Sequence, residues 1–76
     1  AFPIKVMGAQ ADGFVDAICS IAQQFDPAFD RSTVETRPSK AGTYLGVTIT
    51  VTATSRTQLD ELYRTLSTHP MVKVVL

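Results

Sequence analysis

Residues 37–54, RPSKAGTYLGVTITVTAT, decide the fold, because a turn-forming segment leads there into a long run of alternating residue types. One parity of the run is apolar and the other carries hydroxyls: Val47, Ile49, Val51 and Ala53 against Thr48, Thr50 and Thr52. A period of two is typical of a strand that buries one face of a sheet and leaves the other open. The glycine-bearing loop at residues 38–42 predicts a hairpin, with strands over residues 31–37 and 43–53.

Helical spacing appears on both sides of this hairpin. Residues 12–25 are predicted to form an amphipathic helix, with Asp12 as its N-cap, from the spacing of Phe14, Ile18, Ile21 and Phe25. Ser55 and Gln58 match a capping box, with Thr54 as the alternative N-cap, which predicts a second helix over residues 55–68. An X-Pro step follows each segment and is expected to end the helix, because the residue before proline avoids the α region.

Short apolar runs at residues 2–8 and 71–76 are predicted to be the first and last strands of the chain, which gives the order βαββαβ. Two crossovers around a central hairpin are typical of the ferredoxin-like split βαβ sandwich. We therefore expect an α+β fold in one domain over residues 1–76. Its four-stranded antiparallel sheet would carry both helices on one face.

Composition excludes several classes of protein. The 76 residues are 45% hydrophobic and 18% charged with zero formal net charge, which fits a globular domain and disfavours non-specific nucleic-acid binding. A single cysteine, Cys19, permits no internal disulfide and favours a reducing, cytoplasmic setting. No apolar run is long enough to span a membrane. The chain starts at Ala1 rather than Met, so we expect further residues ahead of it in the natural protein.

The chain resembles the YbeD-like family of small bacterial proteins. The resemblance is carried by FPIKVMG at residues 2–8, by residues 44–54, and by LYRTL and VKVVL towards the end. It implies a ferredoxin-like fold similar to ACT regulatory domains, a bacterial cytoplasmic setting and no catalytic residues. The family label points to lipoate metabolism.

The likeness to ACT domains implies a first candidate site in the loop after the first strand. ACT domains bind amino-acid effectors there, at a pattern similar to Gly-x-Asp-x-Pro-Gly. The corresponding ligand-binding residues here are Gly8, Gln10, Asp12 and Gly13, with Gln10 in the Asp position and Asp12 in the Pro position. Glycines let a backbone approach a ligand, and free N–H groups at a helix start favour a carboxylate. The alternative is a tight β–α connection without a ligand.

The sheet face turned away from the helices is a second candidate site. Its predicted residues are mostly basic, hydroxyl-bearing or apolar, with one acidic residue: Lys5, Arg31, Arg37, Lys73, Glu35, Thr48, Thr50, Met7, Tyr44 and Val75. This gives the face a basic excess, while acidic residues concentrate on the helix side. Mixed apolar and basic groups suit a partner surface, although Lys and Arg also protect exposed strand edges. The apolar strand at residues 71–76 offers an edge for self-association or for pairing with a partner.

The sequence contains no catalytic or metal-binding pattern. His69 is the only histidine, and it precedes a proline in a predicted turn. Cys19 lies beside the apolar stripe of the first helix, which indicates a structural thiol rather than a nucleophile. We therefore expect no enzyme activity, no metal and no cofactor.

These patterns favour a non-enzymatic regulatory or interaction module that senses a small anionic metabolite and modulates a partner enzyme. One alternative is a protein–protein adaptor without a ligand. Another is an RNA-binding module of the same topology, which stacks bases on aromatics in its first and third strands. Lys5 occupies the first-strand position and only Tyr44 serves the third strand, so we expect no nucleic-acid partner. Because no apolar run is long enough to span a membrane, we expect no membrane partner either.

Overall fold

The elements follow one another in the predicted order βαββαβ. The computed structural model describes residues 2–76. The elements are β1 Phe2–Ala9, α1 Phe14–Phe25, a 3₁₀ turn Arg31–Thr33, β2 Glu35–Pro38, β3 Tyr44–Val51, α2 Arg56–Ser67 and β4 Val72–Val75. The strands form one antiparallel sheet in the order β2-β3-β1-β4, which confirms the ferredoxin-like α+β fold.

The core lies between the sheet and both helices. Its main contributors are Ile4, Val6, Val47, Ile49 and Val51 from the strands and Phe14, Ile18, Leu62 and Leu66 from the helices. The strand residues share one parity on each strand, so they project from one side of the sheet. Both helices therefore cover the same face, and the other face has no covering layer among residues 2–76. Neither described helix is long and apolar enough to cross a membrane.

The predicted N-cap of α2 is confirmed, whereas the Gln58 side chain bonds the residue before the N-cap. Ser55 is the N-cap, and its hydroxyl accepts a hydrogen bond of 3.1 Å from the backbone N–H of Gln58. The Gln58 side chain accepts from the N–H of Thr54 at 2.7 Å and donates to the carbonyl of Phe25 at the end of α1. One side chain thus caps the start of α2 and joins it to the end of α1.

The predicted N-cap of α1 was wrong. The helix begins at Phe14, and Gly13 occupies the N-cap position with φ of 85° and no side-chain cap. Glycine adopts a positive φ without steric cost, so the turn out of β1 is made at Gly13 rather than at Asp12. The Gly13 carbonyl accepts the first hydrogen bond of the helix, from Ala17 at 2.9 Å.

The start of the predicted second strand was also wrong. Asp30 accepts from the backbone and the hydroxyl of Ser32, at 2.9 and 2.7 Å, and this closes a 3₁₀ turn over Arg31–Thr33. Such local side-chain bonds compete with strand pairing. β2 is therefore only four residues long and begins at Glu35.

Candidate functional site

The uncovered sheet surface, called here the open face, consists of the side chains that point away from both helices. Strand register arranges its central residues in two rows that cross β2, β3 and β1. One row is Glu35, Thr48 and Lys5, and the next is Arg37, Gly46 and Met7. Side chains in one row are nearest cross-strand neighbours, so residues distant in sequence meet there.

The two rows enclose a shallow concavity of about 550 Å³. Its lining is formed by Lys5, Glu35, Thr36, Arg37, Gly46 and Thr48. A Cβ at Gly46 would lie 3.8 Å from Cε of Lys5 and 3.5 Å from the carbonyl oxygen of Arg37. Because Gly46 has no side chain, space remains between the two basic residues.

The concavity holds two basic residues and one acidic residue, Glu35. Glu35 forms no ion pair with Lys5 or with Arg37 in the part of the chain from residue 2 to residue 76. An ammonium and a guanidinium supply only donors, and the hydroxyl of Thr48 adds a group that both donates and accepts. These are the groups that a carboxylate or a phosphate needs, because the oxygens of such an anion accept several hydrogen bonds.

Arg31 does not belong to the open face, so this prediction was wrong. Its guanidinium lies on the helix side, where Nη1 donates to Oδ1 of Asp16 in α1 at 2.8 Å. It also contacts Ser20 and Gln23 of α1. The hydrogen bond to Asp16 raises the pKa of Arg31. Residue 31 lies in the 3₁₀ turn and not in a strand, so strand parity does not apply to it, and the basic excess of the open face is smaller than predicted.

The prediction for β4 also needs correction. The pairing of β1 with β4 shifts register between Met7 and Gly8. Val75 consequently packs against the core, and Val74, opposite Met7, is on the open face instead. Leu76 exchanges two backbone hydrogen bonds with Lys5, which places it in the row of Thr48.

The other predicted residues of the open face occupy different places on it. Lys73 is exposed beside the register shift and does not line the concavity. Thr50 lies opposite Pro3, one row beyond Thr48, and Tyr44 lies opposite Ala9 at the far end. The structure thus brings together Lys5, Arg37, Thr48 and Met7 among the predicted site residues. It adds Gly46, Val74 and Leu76, which the sequence reading missed.

The first residue of the predicted ligand-binding loop, Gly8, lies inside β1 and is closely packed. A Cβ at Gly8 would lie 2.6 and 2.7 Å from two ring atoms of Phe14 and closer still to the carbonyl oxygen of Met71. Phe14 and Met71 fill the space on the Cβ side of Gly8, which favours a packing role for this glycine, and a ligand role for Gly8 stays a prediction. The backbone N–H of Gln10 donates to the carbonyl of Thr43 at 3.0 Å, which ties the loop to the hairpin. A ligand role for Gln10, Asp12 and Gly13, all exposed, stays a prediction.

His69 and Cys19 have structural surroundings. Nδ1 of His69 accepts a hydrogen bond of 3.1 Å from the backbone N–H of Met71, within the turn before β4. Cys19 is 2% exposed in the core, and burial raises the pKa of its thiol. Residues 2–76 contain no group of three acidic, histidine or cysteine side chains that could hold a metal ion.

Burial of Cys19 predicts slow alkylation. A raised pKa lowers the fraction of thiolate, and burial blocks access, so iodoacetamide at about pH 8 should react at least roughly tenfold more slowly with the folded than with the urea-unfolded protein. A matched control is Cys19→Ala/Ser20→Cys, which moves the thiol to the next, exposed position of α1. Mass spectrometry gives both rates. Equal rates for the folded wild type and the folded control would contradict the burial.

The fold and the open face together define a small ferredoxin-like domain with one uncovered sheet surface and a basic concavity on it. Residues 1–76 match the family described as protein of unknown function, DUF493, and the chain belongs to this family.

Bacterial relatives agree with this assignment. A UPF0250 protein of Leptothrix cholodnii is 72% identical over 76 residues, which cover 100% of this chain and 84% of that protein. UPF0250 proteins of Bordetella parapertussis and Ralstonia nicotianae are each 60% identical over 75 residues, which cover 99% of this chain and 82% and 77% of those proteins. These matches confirm the resemblance to YbeD-like small bacterial proteins.

Proposed function

We propose that this protein is a non-enzymatic regulatory module of the bacterial cytoplasm, which binds a small anionic metabolite on the open face and thereby modulates a partner enzyme. The observation that carries the proposal is the pair of cations, Lys5 and Arg37, beside a concavity that Gly46 keeps open. The guanidinium of Arg37 matches the planar geometry of a carboxylate or phosphate, and Lys5 adds a flexible point charge.

The surroundings of the concavity support binding rather than catalysis. Glu35 is the single carboxylate among its lining residues, so it offers no acid–base pair. The thiol of Cys19 is in the core, away from the open face, and the ring of His69 is used in a turn. A shallow, solvated site also suits a metabolite that must leave again when its concentration falls.

A second candidate function is a protein–protein adaptor that binds no small molecule. The observation that favours it is the exposure of apolar side chains on the same face, with Tyr44, Val74 and Leu76 between 43% and 65% exposed. An RNA-binding role has less support, because base stacking needs aromatics across the face and Tyr44 lies at one end of it.

The anion proposal predicts a ligand-dependent rise in melting temperature. A thermal-shift screen of lipoate, amino acids, nucleotides and inorganic phosphate should contain at least one anion that stabilises the protein. At a hundredfold excess over its dissociation constant, such a ligand adds about 2.7 kcal/mol. For a domain of this size that corresponds to a rise of roughly 10 °C or more.

The double variant Lys5→Gln/Arg37→Gln should lower the affinity for the same anion at least about tenfold, because both cations contact one ligand. Two controls remove charge elsewhere and should leave the affinity unchanged. Arg31→Gln loses the cation that pairs with Asp16, and Arg56→Gln/Arg64→Gln removes two exposed charges from α2. If no anion shifts the melting temperature, the adaptor function is favoured. If the control variants lose as much affinity for the anion as Lys5→Gln/Arg37→Gln does, the anion binds outside the concavity.

A further inference from the structure

The open face continues from the concavity into an apolar strip, defined here as Tyr44, Met7, Val74 and Leu76. Met7 lies opposite Gly46 on one side and Val74 on the other, so the strip begins where the concavity ends. Val74 is 46% exposed and Leu76 is 65% exposed. One surface therefore carries the cations Lys5 on β1 and Arg37 on β2 next to an apolar strip that includes Met7 of β1 and Val74 of β4.

The geometry of the sheet favours a helix over an extended segment as the occupant of this surface. A face presents side chains, and the backbone groups of an extended segment laid on it would find no partners. The sheet edges are poor sites for strand addition, since β2 has four residues and ends at Pro38, and β4 has four residues beside a register shift. A helix satisfies its own backbone, and about 16 residues span roughly 24 Å. That length is close to the roughly 26 Å of the eight-residue strand β1.

The charges favour an acidic partner over a second copy of the chain. The four strands contain three basic residues and one acidic residue: Lys5, Arg37 and Lys73 against Glu35. Two open faces brought together would oppose like charges, which costs free energy where side chains lose water. A helix with carboxylates beside its apolar stripe would instead pair with Lys5 and Arg37.

We infer that the open face docks an acidic amphipathic helix of a partner protein, with apolar residues of the helix on the apolar strip and its carboxylates at Lys5 and Arg37. This inference rests on the proposed function in that both use the same two cations. It adds the mechanism of regulation: the metabolite and the carboxylates of the helix compete for the concavity, so the bound anion releases the partner.

A displayed library of random peptides of about 16 residues tests the inference, with the immobilised protein as bait. Enriched sequences should combine Asp or Glu with apolar residues at i, i+3, i+4 and i+7. A synthetic peptide from the enriched set should bind the wild type. Its affinity for Lys5→Gln/Arg37→Gln should be about tenfold or more lower than for the wild type. Its affinity for Val74→Thr/Leu76→Thr should be lower by a similar factor. Arg56→Gln/Arg64→Gln should bind it as the wild type does.

The strip variant also separates this inference from the proposed function. Val74 and Leu76 do not line the concavity, so Val74→Thr/Leu76→Thr should bind a stabilising anion as the wild type does. Failure to enrich acidic amphipathic peptides, while an anion still raises the melting temperature, overturns the docking inference and leaves the proposed function standing. Enrichment of neutral or basic peptides also overturns it, as does a dimer mass in sedimentation that Val74→Thr/Leu76→Thr reduces to the monomer mass.

Discussion

Replacing Gly8 with alanine is expected to lower the free energy of unfolding by about 3 kcal/mol, because overpacking of a filled core costs 1–3 kcal/mol and occasionally more. The added methyl would lie 2.6 Å from Cζ of Phe14, a distance that real Cβ contacts essentially never show. It would also press on the backbone carbonyl of Met71, which cannot move as the end of a flexible side chain does. Urea unfolding followed by circular dichroism measures the loss.

Gly46→Ala is the matched control. Gly46 is also a buried strand glycine, but a Cβ there makes contacts of 3.5 and 3.8 Å, which are ordinary van der Waals distances. Alanine in a strand is no worse than glycine, so stability should change by less than about 1 kcal/mol. If both variants lose the same stability, the cost comes from removing a strand glycine in general and not from the contact with Phe14.

A double-mutant cycle can identify the contact directly. In a Phe14→Leu background two of the close ring contacts are gone, so Gly8→Ala should cost less than in the wild type. The penalty should not vanish, because the carbonyl of Met71 stays in place. A coupling energy near zero would show that Phe14 does not fill the space above Gly8.

The fold could be predicted because its signals are local. Alternation across residues 47–51 and helical spacing in α1 depend only on neighbours along the chain, and each predicts which side of an element is buried. Val47 and Ile49 are completely buried, whereas Thr50 on the other parity is exposed. The capping box at Ser55 is equally local. Element bounds were less accurate, since β3 ends at Val51 and not at residue 53.

The errors concern contacts between distant residues. Arg31 pairs with Asp16, fifteen positions earlier, and nothing in the sequence near residue 31 announces that partner. The register shift that turns Val75 inward and Val74 outward arises where two strands meet, so parity counted along one strand cannot reveal it.

The candidate site was partly predictable. Lys5, Arg37 and Thr48 follow from strand parity, because each lies opposite a neighbour of the same face. Gly46 carried a signal that was overlooked: it shares the parity of the threonines, so a missing side chain there leaves a gap on the open face. The packing role of Gly8 was not predicted, because only the fold brings Phe14 over it.

Asp26 is expected to be nearly as important for stability as Gly8. It is 8% exposed and follows directly after α1. Oδ1 accepts from the backbone N–H of Ala28 at 3.1 Å, and Oδ2 accepts from the backbone N–H of Thr52 at 3.0 Å. One carboxylate thus joins the end of α1 to the residue after β3.

Asp26→Ala should lower the free energy of unfolding by about 2–4 kcal/mol, since it leaves two partly buried N–H groups without an acceptor. Asp26→Asn should cost less, because its carbonyl can still accept from one of the two, while its amide faces the other donor. Asp60→Ala, at an exposed position of α2, is the control and should change stability by less than about 0.5 kcal/mol. Urea unfolding of the three variants gives the order.

The order of the three variants separates two explanations of the loss. If acceptance of hydrogen bonds is the cause, Asn lies between Asp and Ala. If the side chain only fills space, Asn should match Asp, because the two have nearly the same volume. An alanine variant as stable as the wild type would mean that water replaces the carboxylate at both N–H groups, and Asp26 would then contribute nothing to holding α1 against the end of β3.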